Sequence, residues 1–238
     1  MLDLDPDTLR LGVAWYVVFV FSLTLHEAAH AFAAWRLGDP TAYYGGQVTL
    51  NPAPHIAREP MGTVFIPIIS YLFAGWMFGF AHAPYDPYWA DRHPRRAGLM
   101  ALAGPVANLL LVVLAAIAVR VGLALDVFRY PQSIEFERLV EATGEGLPVA
   151  LATLVSILFT LNLLLLVFNL LPLPPLDGAA VLPLFLPEAQ SRRVREFMMQ
   201  PHLTMIGILM AWLLIGQIFR PIHLAAINLV YLGVASYG

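Results

Sequence analysis

The sequence predicts an all-α polytopic membrane protein, a bundle of transmembrane helices with a short β-strand or hairpin between the first two apolar segments. Two observations carry that class. Of the 238 residues, 59% are hydrophobic and only 12% are charged, against about 25% charged in a soluble domain; the mean hydropathy is +0.72. Apolar runs also recur at lengths near the roughly 20 residues a helix needs to span a bilayer. A third observation marks where chemistry lies. From Leu11 to Trp35 the only acidic or basic side chains are His26, Glu27 and His30. A charged group at that depth costs roughly 2.5–3.5 kcal/mol even on the insertion scale, so such a cluster is functional by default.

In chain order, the first apolar segment runs over 11–35. The stretch before it, MLDLDPDTLR, is acidic and lacks the basic start of a cleaved signal peptide, so the segment is expected to be retained. In the connection 36–60, YYGGQVTLNP places β-branched residues between Gly-Gly and Pro and reads as the short strand or hairpin. The segment 61–81 contains Gly62, Pro67, Gly75 and Gly79 and is a weaker span. The segments 97–124 and 149–171 are convincing spans. The last two, 203–219 and 222–236, are divided by Arg220-Pro221, which suggests either two short helices or one spanning and one interfacial piece. No internal repeat is visible. A single integral-membrane domain over 1–238 is expected, with its core in 11–186.

Charge sets the orientation. Arg92, Arg95 and Arg96 precede the third segment, and Arg192, Arg193 and Arg195 follow the fourth. These ends should be cytoplasmic. The loop 125–148, with Asp126, Glu135, Glu137, Glu141 and Glu145, suits the opposite side. The third segment then runs outward and the fourth inward. If the first also runs inward, His26 lies about 13 Å inside the cytoplasmic face and Asn108 about 15 Å, at 1.5 Å per residue. That arrangement requires 61–81 to enter and leave on one side, as a re-entrant hairpin.

His26 and His30 stand one helical turn apart on one face, where both can reach one metal ion, and Glu27 between them can act on a water held there. A catalytic zinc site has three protein ligands and an open position. The best third ligand is Asp177, in NLLPLPPLDGAAVL. Pro172, Pro174 and Pro175 end the helix before it, and irregular backbone at membrane depth is tolerated only where protein or a water cavity covers it. Asp-Gly is also a common turn pair, so a turn or cap is the alternative for Asp177. Asn169 has the alternative of an interhelical hydrogen bond. Asn108 has that of packing. The absence of cysteine excludes thiolate zinc sites, iron–sulfur clusters and disulfides. The net charge of -3 and the lack of a basic patch suggest no nucleic-acid partner.

On HEAAH at 26–30, GPVAN at 104–108, NLLPLPPLDG at 169–178 and GQVTLNPAPHI at 46–56, the chain resembles the site-2 proteases, intramembrane zinc metalloproteases, in their compact bacterial form. The resemblance implies one Zn2+ held by His26, His30 and Asp177, with Glu27 as catalytic acid/base. It implies that Asn169 and Asn108 assist near the reacting centre. It implies a membrane-protein substrate helix as partner, cut within or near its transmembrane segment. The bacterial cytoplasmic membrane is the implied location, with the active site in the cytoplasmic half of the bilayer. Larger members carry a PDZ or CBS domain, and none is expected within these 238 residues. An unwound substrate could add to the edge of the strand at 46–50. The reading from a different class is a metal-ion or proton transporter using the same His/Glu/Asp cluster; it requires further ionisable groups along a path through the outer half of the bundle.

Overall fold

The computed structural model describes residues 5–237; the start of the acidic N-terminal stretch lies outside the described residues. In chain order the elements are α1 (Pro6–Leu37), α2 (Thr41–Tyr44), α3 (Pro52–Arg58), a π-helical turn (Met61–Phe65) leading into α4 (Ile66–Ala74), α5 (Pro87–Arg92), α6 (Pro94–Ala124), β1 (Phe128–Arg129), β2 (Glu141–Ala142), α7 (Leu147–Asn169), α8 (Asp177–Val181), a 3-10 turn (Leu182–Phe185), α9 (Glu188–Met198) and α10 (Pro201–Val230). Among the described residues, α1, α6, α7 and α10 are long and apolar enough to cross a membrane. The all-α class holds, and the protein is an integral membrane protein.

Local chemistry starts and stops these helices. Asp5 caps α1 by accepting from the backbone N–H groups of Asp7 and Thr8 at 2.8 and 2.7 Å, and Pro6 occupies the first turn. Gly38 ends it at φ 107°, the left-handed conformation that glycine adopts without penalty. The outward faces of the long helices are apolar, with Val13, Leu110, Leu114, Met205 and Leu213 all exposed. A bilayer is the medium that accepts such a surface.

α6 is the central helix, packed between α1 and α7. Trp15, Phe19, Leu23, Ile157 and Leu161 fill the space between α1 and α7. At the acidic-loop end, Val119, Phe159, Leu139 and Tyr231 join α6, α7, the loop and the end of α10. There Arg120 donates to the carbonyls of Val230 and Leu232, so its charge terminates α10. At the Arg-rich end, Ala34, Trp89, Ala90 and Ala97 pack together.

Two sequence expectations change. The strand expected at 46–50 does not form: the connection is α2, a bend over 48–50, then α3. Local turns take the groups a strand partner would have used, with Gln47 N–H on Ala42 O at 3.0 Å and Asn51 capping α3 through Ala53 N–H at 3.0 Å. The chain's two-stranded sheet lies instead in the loop between α6 and α7, with Phe128 opposite Ala142 in antiparallel register. The break expected at Arg220-Pro221 is also absent, and α10 is continuous through Pro221. In an apolar medium, ending a helix frees several backbone groups, whereas an internal proline removes one hydrogen bond.

The segment 61–81 does fold back on itself. The chain turns at Gly75 (φ 78°) after α4, and Phe80 N–H returns to Gly62 O at 3.1 Å. A side chain at Gly62 would strike the Phe80 backbone. His82 Nδ1 and Glu59 Oε1 close the two ends at 2.9 Å. The chain has no native cysteine, so single cysteines at Arg58 and Tyr88 can be labelled cleanly in sealed vesicles. Both are expected to react with an impermeant maleimide from the same face; labelling from opposite faces would contradict the hairpin.

Candidate metal centre

α1 presents His26 and His30 on one face, and their Nε2 atoms lie 3.0 Å apart. Asp177, the first residue of α8, reaches both: its Oδ2 is 3.2 Å from His26 Nε2 and 3.3 Å from His30 Nε2. Gly178 makes that reach possible, because a side chain there would collide with the carbonyls of Leu170 and Leu171. The loop after α7 therefore turns tightly back toward α1. Gly104 does the corresponding work on α6: a methyl group at this position would occupy the space beside Nε2 of both histidines.

Hydrogen bonds fix what these atoms can be. His30 Nδ1 faces the carbonyl of Met100 at 2.8 Å, which can only accept, so Nδ1 carries the proton. His26 Nδ1 faces Asn108 Oδ1 at 2.6 Å. Asn108 donates its Nδ2 to Asn162 Oδ1 at 2.8 Å, and Asn162 donates in turn to Ser22 Oγ at 2.9 Å and to Leu158 O at 2.8 Å. The Leu158 carbonyl thus orients Asn162, which orients Asn108, which holds the proton on His26 Nδ1. Both neutral imidazoles then point a lone pair at Asp177 Oδ2, itself buried without a hydrogen-bond partner.

Three acceptors facing one another, their ligand atoms all within 4.8 Å, form a set that a cation between them would satisfy. Ligands held tetrahedrally at 2.0–2.1 Å from zinc lie about 3.3–3.4 Å apart, close to the separations seen. Two imidazoles and one carboxylate, each imidazole backed by a hydrogen-bond acceptor, suit zinc with one position left open. Interhelical hydrogen bonds in membranes average only about 0.6 kcal/mol, so the Asn108–Asn162–Ser22 chain serves orientation more than stability.

A cavity of about 620 Å³ opens on this triangle. Glu27 borders it, 3% exposed, with Oε2 lacking any partner. Asn169, at the end of α7, borders it too and keeps its amide free of intramolecular hydrogen bonds among the described residues. Asn108 is elsewhere: it is fully buried behind His26 and does not line the cavity. The remaining walls are mostly apolar, among them Leu23, Leu165, Phe168 and Trp212, with His82, Tyr85 and Arg195 as the polar exceptions. His55 turns away to the carbonyl of Thr49 at 3.1 Å. Sequence reasoning missed Asn162, Ser22 and the Met100 carbonyl. The first two carried a signal, as lone polar groups inside apolar segments; the carbonyl carried none.

The profile of peptidase family M50 matches residues 14–214, a span that includes every residue of the triangle, Glu27, Asn108, Asn162 and Asn169. The chain belongs to peptidase family M50. The site-2 protease resemblance therefore holds. Among similar proteins, "Putative zinc metalloprotease YwhC" of Bacillus subtilis is 38% identical over 70% of this chain and 66% of its own length. "Putative zinc metalloprotease Rip2" of Mycolicibacterium smegmatis is 31% identical over 77% of this chain and 64% of its length. Rip2 of Mycobacterium tuberculosis is 35% identical over 72% and 57%. The matches thus cover less than two thirds of each relative. No solved structure matches the chain.

For this M50 chain, the orienting network makes a direct prediction. Asn162→Ala removes the amide that turns Asn108, and zinc affinity should fall about 10–100-fold, read by competition with a chromogenic chelator. Unchanged affinity would show that Asn162 does not orient the site.

Proposed function

We propose that the chain is a zinc endopeptidase that hydrolyses peptide bonds within or near the transmembrane segments of other membrane proteins. The observation that carries this is the convergence of His26, His30 and Asp177 on one point, with Glu27 beside them in a buried cavity. Membership of a peptidase family and the zinc metalloprotease names of the relatives support it.

His26, His30 and Asp177 would hold the zinc. When bound, zinc supplies Lewis acidity, lowering the pKa of a water toward about 7 and polarising a carbonyl. Glu27 takes the water's proton on its unpartnered Oε2, then returns it to the leaving amide nitrogen. Its burial among apolar walls keeps that proton from bulk solvent. Asn169 donates its amide N–H to the carbonyl oxygen as negative charge develops there. Asn108 works through His26, holding its ring, rather than on the substrate.

The substrate is a helix whose amides are already bonded, so it must unwind locally. Within the non-helical stretch 77–83, residues 78–83 border the cavity. Its Phe78 and Phe80 N–H groups bond Ser70 Oγ and Gly62 O, each at 3.1 Å. In extended chain, Gly79 and Ala81 face the other side, and their N–H groups have no partner among the described residues. This favours 77–83 over 46–50 as the edge on which an unwound substrate pairs.

The basic residues Arg92, Arg95, Arg96, Arg192, Arg193 and Arg195 cluster at the end where α6 begins and α9 lies. That end is assigned to the cytoplasm, which puts the metal triangle in the cytoplasmic half of the bilayer. The transporter alternative finds little support: Arg120 is the basic residue of the opposite half of α6, and it is bound to the end of α10.

Two substitutions separate chemistry from docking. Glu27→Gln should retain stoichiometric zinc and lower cleavage of a reconstituted transmembrane substrate by about 100-fold or more. Ala81→Pro should also keep zinc while impairing cleavage. Near-wild-type turnover by Glu27→Gln would end the proposed chemistry, and full activity in Ala81→Pro would end the docking edge.

A further inference from the structure

The cavity that holds Glu27 and Asp177 carries one basic side chain besides its histidines, Arg195 of α9. This guanidinium is anchored but incompletely used. Its side chain is only 10% exposed, and Nε donates to Asp91 Oδ1 at 2.8 Å. The Tyr85 ring lies 6.0 Å from its central carbon, within cation–π range. Nη2 is buried and has no hydrogen-bond partner. An arginine cannot release its charge, and a buried unpaired donor is costly. Asp91 does not meet that need, because its own side chain is 61% exposed and engages Nε alone.

A fixed, planar guanidinium with spare donors matches one ligand chemistry best, the two oxygens of a carboxylate. We propose that Arg195 binds a carboxylate of the polypeptide in the cavity, and so selects which peptide bond lies over Glu27. The assignment rests on the peptidase reading above. Two sources share the chemistry: an Asp or Glu side chain flanking the cut bond, and the free carboxylate at the end of a cut fragment. With zinc held by His26, His30 and Asp177, the open metal position and Arg195 are the two points of the cavity that attract a carboxylate, and Arg195→Met removes the second alone.

The test uses the full chain carrying Glu27→Gln, reconstituted in liposomes, and fluorescent membrane-spanning peptides in two pairs. One pair carries Asp or Asn at its cytoplasmic flank; the other ends in a free carboxylate or an amide. The carboxylate member of at least one pair should bind about tenfold tighter or more, and the pair that does so identifies the source. Adding Arg195→Met should bring that ratio to about one, and Arg195→Lys should give an intermediate ratio, with zinc content reporting that each variant is folded. Ratios near one in both pairs with Arg195 present overturn the proposal. So does a ratio that survives Arg195→Met. Cleavage is measured separately on the chain that retains Glu27, so a failure of the peptidase reading appears there and leaves the binding ratios readable.

Discussion

Three lone pairs held within 3.3 Å of one another, deep in an apolar bundle, are the constraint on which the rest depends. In their neutral forms the two imidazoles hold their protons toward Asn108 and Met100 on the far side of each ring, which leaves both Nε2 lone pairs facing Asp177. A cation at its centre would take up all three lone pairs. The close approach of α6 at Gly104, the tight return of the chain at Gly178 and the buried amide chain through Asn162 all serve to hold those atoms where they are. None is a large source of stability by itself. Their shared effect is to preorganise a site before any substrate enters.

The bundle also explains how the proposed hydrolytic site can be kept apart from bulk solvent. α1, α6 and α7 supply the rigid frame, whereas the hairpin 61–81 and α10 close the cavity from the other sides. Trp76, Phe78, Phe168 and Trp212 meet where those parts join. α10 packs only lightly, with Ala211 and Ile215 buried and much of its length facing outward. The mostly apolar walls surround Glu27, and the other polar groups on the cavity are His82, Tyr85, Asn169 and Arg195.

Much of this was legible in the residues themselves. An acidic residue between two histidines inside an apolar run is functional by default, and a proline-broken helix ahead of Asp177 pointed to a carboxylate turned inward. The need to place three donors at one depth required 61–81 to fold back, as it does. The rest depended on partners far apart in the chain. The resemblance put Asn108 near the reacting centre, with packing as the alternative; the structure sets it behind His26. The β-branched run at 46–50 read as a strand because pattern cannot show whether a partner edge is nearby, and local turns took its hydrogen bonds instead. The continuity of α10 through Pro221 follows from the medium, since an apolar solvent penalises a helix end more than it penalises one missing hydrogen bond.

The most direct measurement is zinc K-edge absorption on the purified, metal-loaded protein. Two imidazole nitrogens and a carboxylate oxygen at about 2.0–2.2 Å, with the carboxylate contribution lost in Asp177→Asn, is the result expected from two separate helical elements closing on one ion. A shell of solvent oxygens with fewer than two imidazoles, or a spectrum unchanged by Asp177→Asn, would contradict it.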